Sequence, residues 1–156
     1  MLAACLAVVG WRRRQSPGAL FFTLLMMAVA WEYTTIVLEF ASTTLDGKLF
    51  WIHMKYLESP FVGVLILFTA LAYTKLGTLK RHYLALLLVI PVATVFVAWT
   101  DLSAQLLWRN PSRVGSLPIY EITFERGLWY WVHMGYFGLM VVLAVGLLIY
   151  RYLTTD

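Results

Sequence analysis

Long apolar runs alternate with short polar stretches along most of the chain. Crossing the hydrocarbon core of a bilayer takes about 20 apolar residues in a helix. Four runs qualify: residues 19–41, 49–74, 83–100 and 127–150. A fifth, residues 1–10, is apolar too but would cross only about half a bilayer at ~1.5 Å per residue. It runs into Arg12-Arg13-Arg14 and then Pro17-Gly18. A signal peptide carries its positive charge before the apolar run, so residues 1–10 read as a partial helix, the end of a longer one. Ser42–Gly47 and Lys75–His82 are polar turns between spans, and Pro60 and Pro91 lie inside spans. The expected fold is an all-α integral membrane bundle. It has four full spans plus the N-terminal partial helix, in a single domain over residues 1–156.

The 101–126 connection is too long for a simple turn. Leu102–Trp108 reads as a short interfacial helix. Asn110-Pro111-Ser112 should break it. Tyr120–Glu125 alternates apolar and polar with period two, which predicts one strand of a hairpin.

Composition narrows the class. Hydrophobic residues make up 62% of the chain and charged residues 13%, with mean hydropathy +0.78. A soluble domain runs near 45–50% apolar and about 25% charged, and so short a chain has little interior to hide the excess. An ordinary cytosolic enzyme, a disordered tail and a secreted disulfide scaffold are excluded. Cys5, the single cysteine, can form no internal disulfide. The net charge of +4 reflects loops flanking a membrane rather than nucleic-acid binding. Arg12, Arg13, Arg14, Lys75, Lys80, Arg81 and Arg151 fall at one end of the bundle; Lys48, Arg109, Arg113 and Arg126 fall at the other. Positive charge stays inside. The chain is therefore expected in the inner (plasma) membrane, multi-pass, with its amino terminus outside, its carboxyl terminus cytoplasmic, and the 101–126 loop outside. Trp51, Tyr56, Trp99, Trp108, Trp129, Tyr130 and Trp131 would form an aromatic belt at that outer face.

Charge inside a span is costly and turns toward the bundle interior or toward water. Glu32 and Glu39 are seven residues apart on one helix face, with Thr35 between them. Lys55 and Glu58 are three apart on the next span. Counting inward from the turn, Lys55 lies roughly 9 Å deep and Glu58 and Glu32 roughly 14 Å. A Lys55–Glu58 pair is predicted, supplemented by Glu39 or Glu32. Such a set either fixes helix packing, the commoner use of paired intramembrane charge, or lines a polar pocket in the outer half of the bundle.

Two strings echo each other: Trp51-Ile52-His53-Met54-Lys55-Tyr56 and Trp131-Val132-His133-Met134-Gly135-Tyr136. Each opens a helix running inward, so His53 and His133 should lie at similar depth. Two such histidines could ligate a haem or copper, but a role in lining a ligand pocket or in hydrogen bonding is preferred. No cofactor and no metal site is expected. A phosphate-binding G-x-x-x-x-G-K-[ST] loop, a G-x-S-x-G elbow and an H-E-x-x-H are all missing. The arginine cluster could touch anionic lipid heads, though setting topology explains it more simply.

Several of these residues together resemble a known family. Trp31-Glu32 with Glu39, Lys48-Leu49-Phe50-Trp51 with Tyr56 and Pro60, and Tyr73-Thr74 follow one another in its order. Thr100-Asp101 with Leu106-Leu107-Trp108, then Trp131-Val132-His133 with Tyr136, complete the pattern. The chain resembles the N-terminal seven-helix sensory region of sensor histidine kinases over about residues 12–151. The resemblance implies a signal-input module of a two-component system, with cytoplasmic sensor and kinase domains downstream and possible homodimers. No kinase segment is present, so the expectation is a region truncated before its kinase domains, or a short membrane protein, and no enzyme. Partners would be the lipid bilayer and an unknown small ligand, not nucleic acid. The candidate ligand-binding residues are Glu32, Glu39, His53, Lys55, Glu58 and His133. A haem- or metal-binding redox subunit and a small transporter fragment are the alternatives.

Overall fold

A computed structural model describes residues 2–16, 18–75, 81–100, 102–116 and 119–154. Helix α1 (Leu2–Arg12) turns over at Arg13–Ser16 and leads into α2 (Ala19–Ala41). Gly18 makes that entry at φ 78°, a left-handed conformation that glycine adopts without steric penalty. α2 stops at Ser42, whose hydroxyl and amide both bond back to the Leu38 carbonyl. Thr44 caps α3 (Leu45–Lys55): its Oγ1 accepts the Gly47 amide at 3.2 Å.

The third span is broken. The amides of Tyr56, Leu57 and Glu58 donate to carbonyls three residues back rather than four. α4 (Ser59–Thr74) then starts afresh with Pro60 in its first turn, where a missing N–H leaves no gap. Proline at 91 in α5 (Arg81–Ala98) does leave one. It removes the N–H that would bond the Leu87 carbonyl. The Tyr136 hydroxyl of α7 (Leu128–Leu153) donates to that carbonyl instead. Nearby, Trp129 Nε1 donates to Thr94 Oγ1 at 3.0 Å. Two side-chain hydrogen bonds thus tie α5 to α7.

The bundle packs around two cores. Val64, Leu67 and Ala70 of α4 meet Met140 and Ala144 of α7. Gly63 lies against Phe137 and Met140 there, and small residues let two backbones approach closely within lipid. The second core sits at the opposite end from the arginine cluster. It joins Ile52 with Val97, Ala98, Leu107 and Trp108, and Tyr56, Phe124, Trp129 and Tyr130 pack onto it.

Above this second core stands the 101–126 connection. It holds a single helical turn, α6 (Ser103–Leu106), and an antiparallel hairpin, β1 (Trp108–Ser116) with β2 (Ile119–Arg126). Gly127 joins the hairpin to α7. Its amide donates to the Leu107 carbonyl at 2.9 Å, and a Cβ there would fall 2.2 Å from the Leu106 carbonyl oxygen. Only glycine allows that approach.

Three helical stretches are long and apolar enough to cross a membrane among the described residues: Ala19–Ala41, Leu45–Thr74 and Leu128–Leu153. Only 17% of the most apolar window is buried in the first and the last, so their remaining apolar surface needs lipid. Leu2–Arg12 and His82–Ala98 are shorter apolar helices. Three long helices thus stand where four full spans were expected. Most of the Lys75–His82 turn, residues 76–80, lies outside the described residues, as does Asp101.

Two expectations need correction. Asn110-Pro111-Ser112 does not end the ordered structure but sits within β1. The pairing register shifts between Arg109 and Ser112, and Asn110 takes a positive φ of 48°. A two-stranded ribbon is all edge, and a bulge on it tolerates proline. The aromatic belt is also divided. Trp99 and Trp131 are exposed, but Tyr56, Trp108, Trp129 and Tyr130 turn inward as the packing of the second core.

Tyr136→Phe should cost about 1 kcal/mol by stranding the Leu87 carbonyl. In a Pro91→Ala background, where the helix supplies its own N–H, the cost should shrink toward zero. Thermal melts of the four proteins in detergent complete the cycle, and an equal cost in both backgrounds would refute the compensation.

Candidate functional site

Glu39 anchors the seam between α2 and α3. Its carboxylate Oε2 accepts Lys55 Nζ at 2.7 Å, and its main-chain carbonyl accepts Lys48 Nζ at 3.0 Å. Lys48 is buried and also lies 5.9 Å from the Phe40 ring centre. Its charge thus meets the carbonyl-rich C-terminal end of α2, where a cation is favoured. One turn-pair deeper, Trp31 Nε1 of α2 donates to the Met54 carbonyl of α3 at 3.0 Å. Thr35, fully buried on the Glu32–Glu39 stripe, spends its hydroxyl on the Glu32 carbonyl at 2.8 Å. The Lys48, Lys55 and Trp31 bonds run between the two helices, and such bonds hold helices together where lipid supplies no hydrophobic drive.

Of the pairings expected for Lys55, the one to Glu58 does not form and the supplementary one to Glu39 does. α3 ends at Lys55, and the tightened turn with Pro60 begins a new helix, so the two side chains do not share a regular helical face. Lys55 turns to Glu39 across the seam instead. Both carboxyl oxygens of Glu58 are buried; the Glu32 carboxyl is the group within hydrogen-bonding reach of them, and Lys55 is the neighbouring cation.

The two histidines part company. His53 bonds through Nδ1 to the Leu49 carbonyl at 2.7 Å and presents its ring edge-on to Trp108 and Trp99 at 5.2 and 6.1 Å. His133 is buried on α7, its Nδ1 without a hydrogen-bond partner. Among the described residues, no group of three or more His, Cys, Asp or Glu side chains is placed to hold a metal ion.

Beneath the hairpin lies a cavity of about 390 Å³, which places it in the range of small-molecule sites. Its polar wall is Glu39, Lys55, Tyr56, Thr123, Arg126 and Tyr130. Its apolar wall is Ile52, Leu107, Trp108, Ile122 and Phe124. α2, α3, the hairpin and α7 all contribute. Of the six candidate residues, Glu39 and Lys55 line this cavity; Glu32, Glu58, His53 and His133 do not.

The remaining lining residues escaped the sequence reading because the 101–126 connection folds back over the bundle. Arg126 had a local signal: it stands three residues before the Trp129-Tyr130-Trp131 run that opens α7. Its guanidinium lies 4.8 Å from the Tyr130 ring centre and 5.9 Å from that of Trp131.

A family model described as the N-terminal 7TM region of histidine kinase matches residues 1–156. The chain belongs to that family. No curated protein and no solved structure matches it. The family is the sensory, membrane-embedded part of a histidine kinase and not its catalytic part. Membership implies a membrane location and kinase domains further along the protein. The apolar helices, exposed over most of their surface, agree with that setting.

Two stability predictions follow for this histidine-kinase region. Lys55→Met leaves the Glu39 carboxylate without its ion partner in a side-chain environment only 16% exposed. It should destabilise the bundle by about 2 kcal/mol, and adding Glu39→Leu should restore most of the loss. Full additivity of the two losses in detergent melts would show that the pair does not couple. Glu58→Met should instead stabilise by about 1 kcal/mol, because it removes a buried carboxyl group held close to the like-charged Glu32. A fall in melting temperature would mean that Glu58 holds a partner in the membrane.

Proposed function

We propose that this sensory region takes in its signal through the cavity beneath the hairpin. The observation that carries the reading is the meeting of four elements at one cavity, with the Glu39–Lys55 ion pair in its wall. A small ligand touching that wall touches the bond that joins α2 to α3. Such a ligand shifts a helix equilibrium only through its difference in affinity for the two states. A wall containing the inter-helix bond offers that difference. Glu32, Glu58, His53 and His133 stand behind the wall and act by setting how the helices sit, not by contact with the ligand.

The cavity faces the outside of the cell in this reading. Seven Lys and Arg residues cluster at the far end of the bundle, against four at the hairpin end. The amino terminus is then outside and the carboxyl end cytoplasmic, where kinase domains receive the signal. α5 crosses as a fourth span. Its 18 residues cover about 27 Å, close to the hydrocarbon thickness of about 30 Å. The whole region acts as one domain, and two copies pair in the membrane.

Two measurements test this. In cells carrying a Cys5→Ala background, a membrane-impermeant maleimide should label Asn110→Cys but not Lys75→Cys; the reverse pattern would invert the topology. In the histidine kinase that this region serves, Ile122→Phe should fill the cavity and hold autophosphorylation at one level whatever the stimulus. Unchanged responsiveness would place the input elsewhere.

A further inference from the structure

The polar groups of the cavity beneath the hairpin point to one class of ligand, an inference that rests on that cavity being the input site. Three charged side chains line it. Lys55 and Glu39 answer each other, which leaves the Arg126 guanidinium as the surplus positive charge. Its contacts among the described residues are the faces of Tyr130 and Trp131, not a carboxylate. Guanidinium presents a planar fork of donors that matches a carboxylate in two parallel hydrogen bonds. Tyr56 and Tyr130 also line the cavity, and Tyr56 lies within electrostatic reach of both Tyr130 and Arg126. Thr123 is spent, since its hydroxyl is bonded to that of Ser112 at 2.8 Å. Beyond the Glu39–Lys55 pair, the polar wall is therefore one guanidinium and two phenols, all able to donate, with Glu32 within electrostatic reach of Tyr56 from outside the lining.

The rest of the wall is apolar and aromatic. Trp108 stacks edge-on with Tyr56 at 4.9 Å and leans toward Phe124 at 6.0 Å, with Ile52, Leu107 and Ile122 beside them. Such a wall holds a ring or a branched hydrocarbon and rejects a free polar chain. We infer that the cavity binds a small monocarboxylate with an aromatic or branched apolar body, its carboxylate on Arg126 and the tyrosine hydroxyls and its body against Trp108 and Phe124. A carboxylate in this position also lies in the same cavity as Lys55. It competes with Glu39 for that ammonium and loosens the α2–α3 seam, which gives binding a route into the helices.

Four probes sharing fragments of that chemistry test the inference: phenylacetate, 2-phenylethanol, phenethylamine and acetate. Each is titrated into the protein in zwitterionic nanodiscs while tryptophan emission is followed. Phenylacetate should give a saturable change, and the other three should bind at least 10-fold more weakly. Arg126→Gln should weaken phenylacetate at least 10-fold, and Tyr56→Phe or Tyr130→Phe several-fold, with melting temperatures near that of the parent. Phenethylamine or 2-phenylethanol binding as tightly as phenylacetate, and blocked by Ile122→Phe, would overturn the ligand class while leaving the cavity as a binding site. Saturable phenylacetate binding that survives both Arg126→Gln and Ile122→Phe would overturn the site itself, as would no saturable response to any probe.

Discussion

Water does not reach the hydrocarbon core, so every polar group placed there must be answered from within the protein. Most features of this bundle follow from that demand. Threonines inside helices bond back to their own carbonyls, as Thr23, Thr69 and Thr94 do to Ala19, Leu65 and Ile90. Lys48 finds the end of α2, and Lys55 finds Glu39. The α2–α3 seam is the place where this constraint is most concentrated, with two lysines, one glutamate and one indole N–H resolved across a single interface. Apolar packing alone would not select this pairing of helices, because lipid chains compete with leucine on equal terms.

The same demand explains why a cavity survives at the hairpin end. The hairpin roofs the bundle with a ribbon whose inward residues, Ile122 and Phe124, reach the aromatic cluster without filling the space beside Glu39 and Lys55. Gly127 fixes how closely that roof approaches α7. Site and scaffold therefore share residues: Trp108 belongs both to the core and to the cavity wall, and Lys55 belongs both to the seam and to the wall. Cavity contacts and helix contacts are not separable here, because the same side chains make both.

Much of the helical frame was legible in the sequence. Residues 19–41 match α2 end to end because a left-handed glycine, Gly18, and a polar residue, Ser42, bound the run. The break near Pro60 was visible as a residue but not as a boundary, since proline in a first turn leaves no trace in an apolar pattern. The period-two stretch at 120–125 announced β2, while Asn110 and Pro111 hid its partner by carrying the bulge. Four of the charged and histidine candidates lie off the cavity for a related reason. Spacing places side chains on a helix face, as it placed Glu32 and Glu39, but not which neighbouring helix that face meets or how the next turn reorients a partner. Arg126 and Tyr130 are sequence neighbours in contact, but they meet Tyr56 only through the folding back of the hairpin, a long-range event. Family membership, by contrast, rested on order and spacing of aromatic and charged residues and was recoverable from them.

The bond between the Tyr136 hydroxyl and the Leu87 carbonyl also sets a direction for sequence change. A tyrosine at 136 is harmless beside any residue at 91, because a carbonyl oxygen has two lone pairs and can accept from both helix and phenol. A proline at 91 without that hydroxyl leaves a bare carbonyl in the membrane. Mutational paths through this pair are therefore one-way: the phenol has to arrive before the proline and has to outlast it. Among related chains, proline at the first position should presuppose a donor at the second, while the donor can occur alone.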